Sequence, residues 1–397
     1  MPFLLYALVA AFLLFLAHRF IRRSSRIALA ILVLLPLVYT GYALLTGRVY
    51  GPIDLPYATE PLSHMKSEYG IGQGHNGALS DLYCQMLPWR KAVQWSLRHG
   101  EWPILNRFQM FGDILAAAAQ PAAYSPFTLL ACLLPAAQSL TFSAAIAFFL
   151  AGLGAFLFAR ELGCREAAAL IAAAGWTYST ALGFFILWPL GASWAFLPFV
   201  FLCVRIIVRE PSMRSTMLLM IAFALVVLAG HPETTLHVIA LGAINGVFEL
   251  ARRFTIRALA AAVIAGVLAL MICAVYLLPL FDAVPQTLEH YVRSELYAST
   301  PRGVNDATVG ARLAMSVFPY LFLRTWTSPD IQKMPIDTFA AGSIILALAI
   351  YAMWRVRSPE SWFLTAMILF CIAAHTEWIP LARLLQKIPL FDISFNE

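Results

Sequence analysis

Long apolar runs alternate with short polar connections along most of this 397-residue chain. Each run is close to the length that a helix needs to cross a hydrocarbon core of about 30 Å. Backbone groups inside a membrane must bond to one another, so such runs predict helices. We therefore predict an all-α polytopic membrane protein with about ten transmembrane helices. The runs cover residues 3–18, 27–46, 137–159, 166–187, 188–204, 215–230, 234–251, 258–280, 337–354 and 361–376.

Composition agrees with this pattern, since 61% of the residues are hydrophobic and 12% are charged. Soluble domains carry about twice that share of charge. No basic residue precedes the first run, and arginines follow it, so we expect a retained helix instead of a cleaved signal peptide. The six cysteines are scattered without a Cys-x-x-Cys pair, which argues against a disulfide framework or a zinc site.

Arginines mark one set of the short connections. By the positive-inside rule these connections face the cytoplasm. The resulting topology gives a net charge of +9 inside and −3 outside, and it explains the overall charge of +6 without a nucleic-acid partner. The marked connections contain Arg19, Arg22, Arg23 and Arg26; Arg160 and Arg165; Arg205, Arg209 and Arg214; Arg252, Arg253 and Arg257; and Arg355 and Arg357.

Two long connections then share the outer face, the first outer loop (47–136) and the second outer loop (281–336). Loops on a rigid scaffold commonly carry function, although these could also be plain connectors. The chain divides accordingly into an N-terminal hairpin (1–46), the first outer loop, a transmembrane core (137–280), the second outer loop, and a final helix pair with an outer tail (337–397).

A short amphipathic helix is predicted inside the first outer loop. Pro88 suits the start of a helix and Gly100 suits the position just past its end. This helix could lie in the membrane interface. It could equally pack on the transmembrane bundle with its basic face in water. Trp89, Ala92, Val93, Ser96 and Leu97 form its apolar face, and Arg90, Lys91, Gln94 and Arg98 form its polar face.

Upstream of this helix, Asp81 and Gln85 are four residues apart and would share a helix face. The carboxylate of Asp81 could accept a proton from a hydroxyl, cap a helix, or form a surface ion pair. Its rivals in the same loop are Asp54, Glu60 and Glu68. The loop has no Asp-x-Asp pair, which argues against a metal-bound donor and predicts no metal site.

A second candidate group lies in the turn "GHPETT", where His231 and Glu233 sit near the membrane boundary. Ionisable residues there are costly if they have no role. Pro232 could also be present only to shape the turn. Asp282 follows the eighth run and could line a site or simply end a helix.

Several segments together resemble the YfhO-like bacterial membrane proteins of the GT-C glycosyltransferase group. They are "DLYCQMLP" (81–88), "GEWPILN" (100–106), "QPAAYSP" (120–126), "AGHPETTLH" (229–237) and "YLLPLFDAVPQT" (276–287). The resemblance covers roughly residues 27 to 397. It implies a bacterial inner-membrane location with the long loops on the outer face. In such proteins further helices follow "KIPLFDISFNE", so we expect a truncated chain.

The resemblance also implies a reaction. A sugar would pass from a polyprenyl-phosphate carrier to a cell-envelope acceptor, with no cofactor and with a loop carboxylate as base. Asp81 matches that carboxylate. Gln85, Asn106, Gln120, His231 and Glu233 are expected to contact substrate. Positive charge must meet the leaving phosphate. The candidates in the second outer loop are Arg293, Arg302, Arg324 and Lys333, with His290 weaker, and each could equally be a solvated loop charge.

Two other functions remain open at this stage. A transporter or flippase for a lipid-linked glycan would share the helix count, but it predicts ionisable residues in the middle of helices. The sequence has almost none there, since His18 and Glu249 lie near helix ends. A non-catalytic truncated membrane protein is the third possibility.

Overall fold

The computed structural model describes residues 1–72, 77–304, 306–317 and 342–394. Helices account for most of this part of the chain. The first nine are α1 Pro2–Phe20, α2 Arg26–Leu34, α3 Leu37–Thr46, α4 Leu87–Arg98, α5 Pro126–Ala131, α6 Ala136–Glu161, α7 Glu166–Thr177, α8 Thr180–Phe185 and α9 Pro189–Ala195.

Nine further helices follow in the described residues. They are α10 Leu197–Arg209, α11 Met213–Leu228, α12 Pro232–Arg252, α13 Ile256–Ala283, α14 Leu288–Tyr291, α15 Asp306–Val317, α16 Ser343–Arg355, α17 Pro359–His375 and α18 Ile379–Leu385. Strands β1 (Leu105–Asn106) and β2 (Asp113–Ile114) form an antiparallel hairpin in the first outer loop. The fold class is therefore all-α.

Five helical segments in the described residues are long and apolar enough to cross a membrane. A sixth is added if α2 and α3, which meet at 70°, form one bent span. The prediction of membrane-spanning helices is confirmed in this coarser form, and the number ten stays a prediction. The five are Pro2–Phe20, Ala136–Glu161, Pro189–Arg209, Pro232–Arg252 and Ile256–Gln286.

The predicted run 166–187 is not one continuous helix. It contains α7 and α8, and the chain leaves helical geometry at Tyr178 and Ser179. Helices α11, α16 and α17 coincide with predicted runs but have only 10–17 residues. Apolar composition alone did not predict where these helices end or break.

The chain forms two compact units, and the first contains Met1–Thr177 and Phe185–Leu280. Helix α6 lies at the centre of this unit. In its most apolar stretch of 18 residues, 89% of the residues are buried by α1, α7, α10 and other neighbours. Two glycines allow the close approach. A Cβ at Gly152 would lie 2.8 Å from Thr177 Oγ1, and one at Gly154 would lie 2.8 Å from the Phe199 ring. Small residues at helix contacts are typical of membrane bundles.

The second unit contains Tyr178–Phe184 and the chain from Phe281 onward. Its described residues include a parallel bridge between Val304 and Trp378. Arg312 forms an ion pair with Glu377 at 3.2 Å. These contacts fasten the residues around Val304 to the segment that begins α18.

Candidate functional site

Helix α4 fastens the first outer loop to the start of α6. Ala92 and Val93 are buried in a small core with Leu115, Ala116 and Ala123. The Gln94 side chain donates from Nε2 to the Leu134 carbonyl at 2.6 Å and to the Cys132 carbonyl at 3.2 Å. Helix α4 therefore packs on the transmembrane bundle, at the end of a membrane-spanning helix.

The ends of α4 agree with the prediction, with Pro88 in the first turn and Gly100 at a positive φ of 70°. The residues on the inward face of α4 differ from the prediction. Arg90 and Gln94 belong to the predicted polar face, but both are turned inward, while Leu97 of the predicted apolar face is exposed. The reason is that the protein supplies polar partners for these two side chains at the beginning of α6.

A cavity of about 80 Å³ opens between α4, the segment 120–128, α6 and the beginning of α9. Its wall is mostly apolar, and its polar groups are few. The polar lining residues are Arg90, Gln120, Ser125, Thr128 and Ser143, and the apolar ones include Phe127, Leu140, Ile146, Trp188 and Phe196. A mostly apolar wall with a few convergent polar groups is typical of a binding pocket.

Arg90 is the charged group of this cavity. Its Nη1 donates to Ser143 Oγ at 3.3 Å, the single hydrogen bond that it makes to the described residues. A guanidinium has five N–H donors, so donors remain for a ligand. The Arg90 residue is half-buried, and the loss of hydration lowers the pKa of its guanidinium. Arginine nevertheless stays charged in proteins. The cavity thus presents a positive charge inside an apolar enclosure.

Two of the sequence motifs meet at this cavity. Gly230, in the turn between α11 and α12, lies against the segment that contains Gln120. A Cβ at Gly230 would be 2.8 Å from the Ala119 carbonyl oxygen and 2.8 Å from Ala122 Cβ. Gln120 and Ala229 both line the cavity. The chain therefore places "QPAAYSP" and "AGHPETTLH" side by side although about 110 residues separate them.

Asp81 lies outside the cavity wall. It is exposed and directly precedes a wide helical turn, Leu82–Met86, that leads into α4. Met86, from the same turn, does line the cavity, and Gln85 is exposed. Nine residues separate Asp81 from Arg90, which corresponds to roughly 13 Å along a helix axis.

The other predicted contacts of this unit are placed as follows. Asn106 is buried and shapes the hairpin: its Oδ1 accepts from Phe108 N at 3.1 Å, and its Nδ2 donates to Gln109 Oε1 at 3.1 Å. His231 caps α12, with Nδ1 accepting from Thr234 N at 3.2 Å. Glu233 is half-buried in the first turn of α12.

The arginines of the second outer loop belong to the second unit. Arg302 is buried, and its guanidinium donates to the carbonyls of Phe391, Asp392 and Ser394. Arg293 bonds to Glu289 at 2.6 Å and to the Ile393 carbonyl at 3.0 Å. Both side chains thus contact protein groups in the described part of the chain. Arg324 and Lys333 lie outside the described residues.

In the described residues no group of three or more His, Cys, Asp or Glu side chains could hold a metal ion. Comparisons with known proteins gave no match: no family model, no curated protein and no solved structure matches the chain.

Sequence reasoning missed Arg90 as a site residue because it sorted the residues of α4 by polarity. A different stripe was present in the sequence. Met86, Arg90 and Val93 also recur at helical spacing, so a cation stood between apolar residues on a possible inner face.

Proposed function

We propose that the chain is a YfhO-like, GT-C-type glycosyltransferase of the bacterial inner membrane. It would transfer a sugar from a polyprenyl phosphate to a cell-envelope acceptor at the outer face. In this proposal the chain spans the membrane about ten times, and both long loops lie outside. Its partners are membrane lipid, the lipid-linked sugar and the acceptor glycan.

The observation that carries the proposal is the cavity with one cation in an apolar wall. A polyprenyl phosphate combines an apolar chain with an anionic group. Arg90 supplies donors for the phosphate, and residues such as Phe127 and Ile146 supply an apolar surface for the nearest isoprene units. Hydrogen bonds between an ionised donor and a phosphate are about twice as strong as neutral ones.

The proposed reaction is a single displacement. Asp81 takes the proton of an acceptor hydroxyl, the hydroxyl oxygen forms a bond to the anomeric carbon, and the bond from that carbon to the phosphate oxygen breaks. The polyprenyl phosphate leaves with the electron pair, and Arg90 stabilises its charge. Gln85 and Gln120 are proposed to orient the sugar between them.

The test uses the full chain in membrane vesicles with labelled polyprenyl-phosphate sugars, and it measures donor retention and sugar transfer separately. We expect Asp81→Asn to lower transfer by about 100-fold or more without changing donor retention. Arg90→Gln should lower both. Lys91→Gln, which removes an exposed cation next to Arg90, is the matched control and should change neither.

Each contrary outcome has a definite meaning. Transfer that survives Asp81→Asn moves the base to Asp54 or Glu233. If Arg90→Gln and Lys91→Gln retain the donor equally well, the phosphate does not bind in the cavity. A wild-type chain that neither retains nor transfers any donor rejects the proposal in favour of a non-catalytic membrane protein.

One observation favours transport as a second candidate. Arg205 of α10 and Glu249 of α12 form a buried ion pair near the C-terminal ends of two segments that are long enough to span a membrane. Charged residues at such positions often mark transport pathways, although a buried pair can also serve only to join two helices. A vesicle assay for movement of a labelled lipid-linked glycan, with Arg205→Met and Glu249→Met combined, distinguishes the two roles. If movement of the glycan is unchanged in the double variant, or absent in the wild type, the ion pair serves only to join the two helices.

A further inference from the structure

The hairpin of the first outer loop has an inverted distribution of polar and apolar side chains. In its register Leu105 pairs with Ile114 and Asn106 pairs with Asp113. Asn106 is buried, whereas Leu105 and Ile114 are exposed. A hairpin at a water-facing surface normally buries its apolar face and exposes its polar one. This hairpin does the reverse.

The tip of the hairpin strengthens the inversion. Phe108 is 68% exposed, Met110 is 82% exposed and Phe111 is fully exposed. Trp102 and Ile104, just before β1, are exposed as well. Large apolar patches on a protein surface mark an interaction site. We refer to the residues 102–114 as the apolar hairpin.

The apolar hairpin has a fixed shape. Arg107 lies over the Trp95 ring at 4.9 Å and pairs with Glu101 at 2.7 Å. Phe108 packs edge-on against the same Trp95 ring, with centroids 5.7 Å apart. Leu115 N donates to the Ile104 carbonyl at 2.8 Å, which joins the hairpin base to the small core under α4. The exposed apolar residues are thus held outward on a structured base.

The base also fixes the depth of the hairpin relative to the membrane. Leu115 packs against Ala92 and Val93 of α4, and Gln94 of α4 is bonded to the Leu134 carbonyl, two residues before α6 begins. Because α6 is long and apolar enough to cross a membrane, we place the membrane boundary near its beginning. Exposed cations lie at Lys91 and Arg98 of α4, the helix whose Trp95 contacts the hairpin, and at Arg107 in the hairpin itself. Anionic headgroups complement such cations, and aromatic residues favour this depth.

We propose that the apolar hairpin inserts its tip, residues 108–111, into the lipid bilayer that holds the spanning helices. The partner is a bilayer surface with anionic headgroups. The hairpin would thereby fix the first outer loop against the membrane by a contact separate from α4, which packs on protein. This inference does not depend on the proposed transfer reaction.

The test places the photo-reactive amino acid benzoyl-phenylalanine in the full chain, reconstituted in nanodiscs of phosphatidylcholine with or without phosphatidylglycerol. Position 111 reports on the tip, because the probe replaces an exposed phenylalanine. Position 69 is the matched control: Tyr69 is an exposed aromatic of the same loop, but it lies between Glu68 and Gly70 and has Lys66 nearby. A second tip probe at position 110 guards against a local effect of the substitution.

After illumination, intact-mass spectrometry should show phospholipid adducts at positions 110 and 111, with yields about tenfold above position 69. Phosphatidylglycerol should raise the tip yields because of the neighbouring cations. Three results would overturn the proposal: lipid yields equal at the tip and at position 69, cross-links at the tip to a second copy of the chain, or cross-links at the tip to another segment of the same chain.

Discussion

Arg90 of the first outer loop and Arg302 of the second are both inward-facing arginines on long connections, yet their bonding is opposite. The Arg302 guanidinium contacts three backbone carbonyls between Phe391 and Ser394. Arg90 has one hydroxyl acceptor in the described residues and borders a cavity. The acceptors that surround an arginine therefore indicate its role better than its charge does. In the second loop the guanidinium holds the chain, and in the first its donors remain available.

The largest effect that this comparison predicts is on the second unit. Arg302→Met should leave the three carbonyls without their charged donor, and each unsatisfied buried group costs about 1–3 kcal/mol. We expect the segment 386–394 to detach from the residues around Arg302. Trypsin cleavage after Lys387, followed on the full chain in detergent, should become much faster.

Arg383→Met is the control for this experiment, since Arg383 is exposed on α18 and its replacement should change stability by at most about 0.5 kcal/mol. Equal cleavage rates in the two variants would break the comparison, because Arg302 would then not hold the chain.

A smaller effect is expected where the two motifs meet in the first unit. Gly230 and Gly163 share a φ of 95°, so alanine at either position has the same backbone strain, roughly 1–2 kcal/mol. Only at Gly230 would the new Cβ collide with neighbours, Ala119 and Ala122, whereas Gly163 has open space. We expect Gly230→Ala to destabilise the protein by a further ~1–3 kcal/mol.

Thermal unfolding of both variants in detergent measures that difference directly. Donor retention gives a second comparison of the two variants, because a shift of the segment around Gln120 should deform the cavity only in Gly230→Ala. If both alanine variants unfold at the same temperature, the close packing between the turn at Gly230 and the segment 119–122 is refuted.

The helix positions were predictable because length and hydropathy suffice for them. The run 234–251 predicted α12, which extends over Pro232–Arg252 and begins two residues earlier than the run. The environment of each helix was less predictable. Helices α6 and α13 are both strongly apolar. In their most apolar stretches of 18 residues, however, 89% of the residues are buried in α6, compared with 22% in the segment Ile256–Gln286, which contains α13. Lipid and protein interiors are both apolar, so hydropathy does not distinguish them.

The candidate site was predicted only in part. The motifs around Gln120 and Ala229 meet at one cavity, while Asp81 lies outside its wall. The inward orientation of Arg90 and Gln94 was not predictable from α4 itself. Their partners, Ser143 and the Leu134 carbonyl, lie 53 and 40 residues further along the chain. A local amphipathic pattern holds no information on such distant acceptors.

The smallest predicted effect depends on the positive charge that Arg90 places in the cavity. Burial raises the pKa of the Cys132 thiol, and the cations Arg90 and Arg98 partly oppose that rise. Arg90→Met should therefore raise the thiol pKa further, reduce the thiolate fraction at pH 8, and slow alkylation by N-ethylmaleimide about two- to threefold. Peptide mass mapping separates Cys132 from the exposed Cys84 and Cys371.

Two variants make this last measurement decisive for the first loop. Arg90→Lys keeps the charge and should restore the wild-type rate, and Lys91→Met removes an exposed cation and should leave the rate unchanged. Faster alkylation in Arg90→Met would mean that the side chain closes the cavity by packing instead of charging it. Arg90 would then resemble Arg302 in serving structure, and the contrast between the two outer loops would fail, because a cavity without an available positive charge has no means to retain a phosphate.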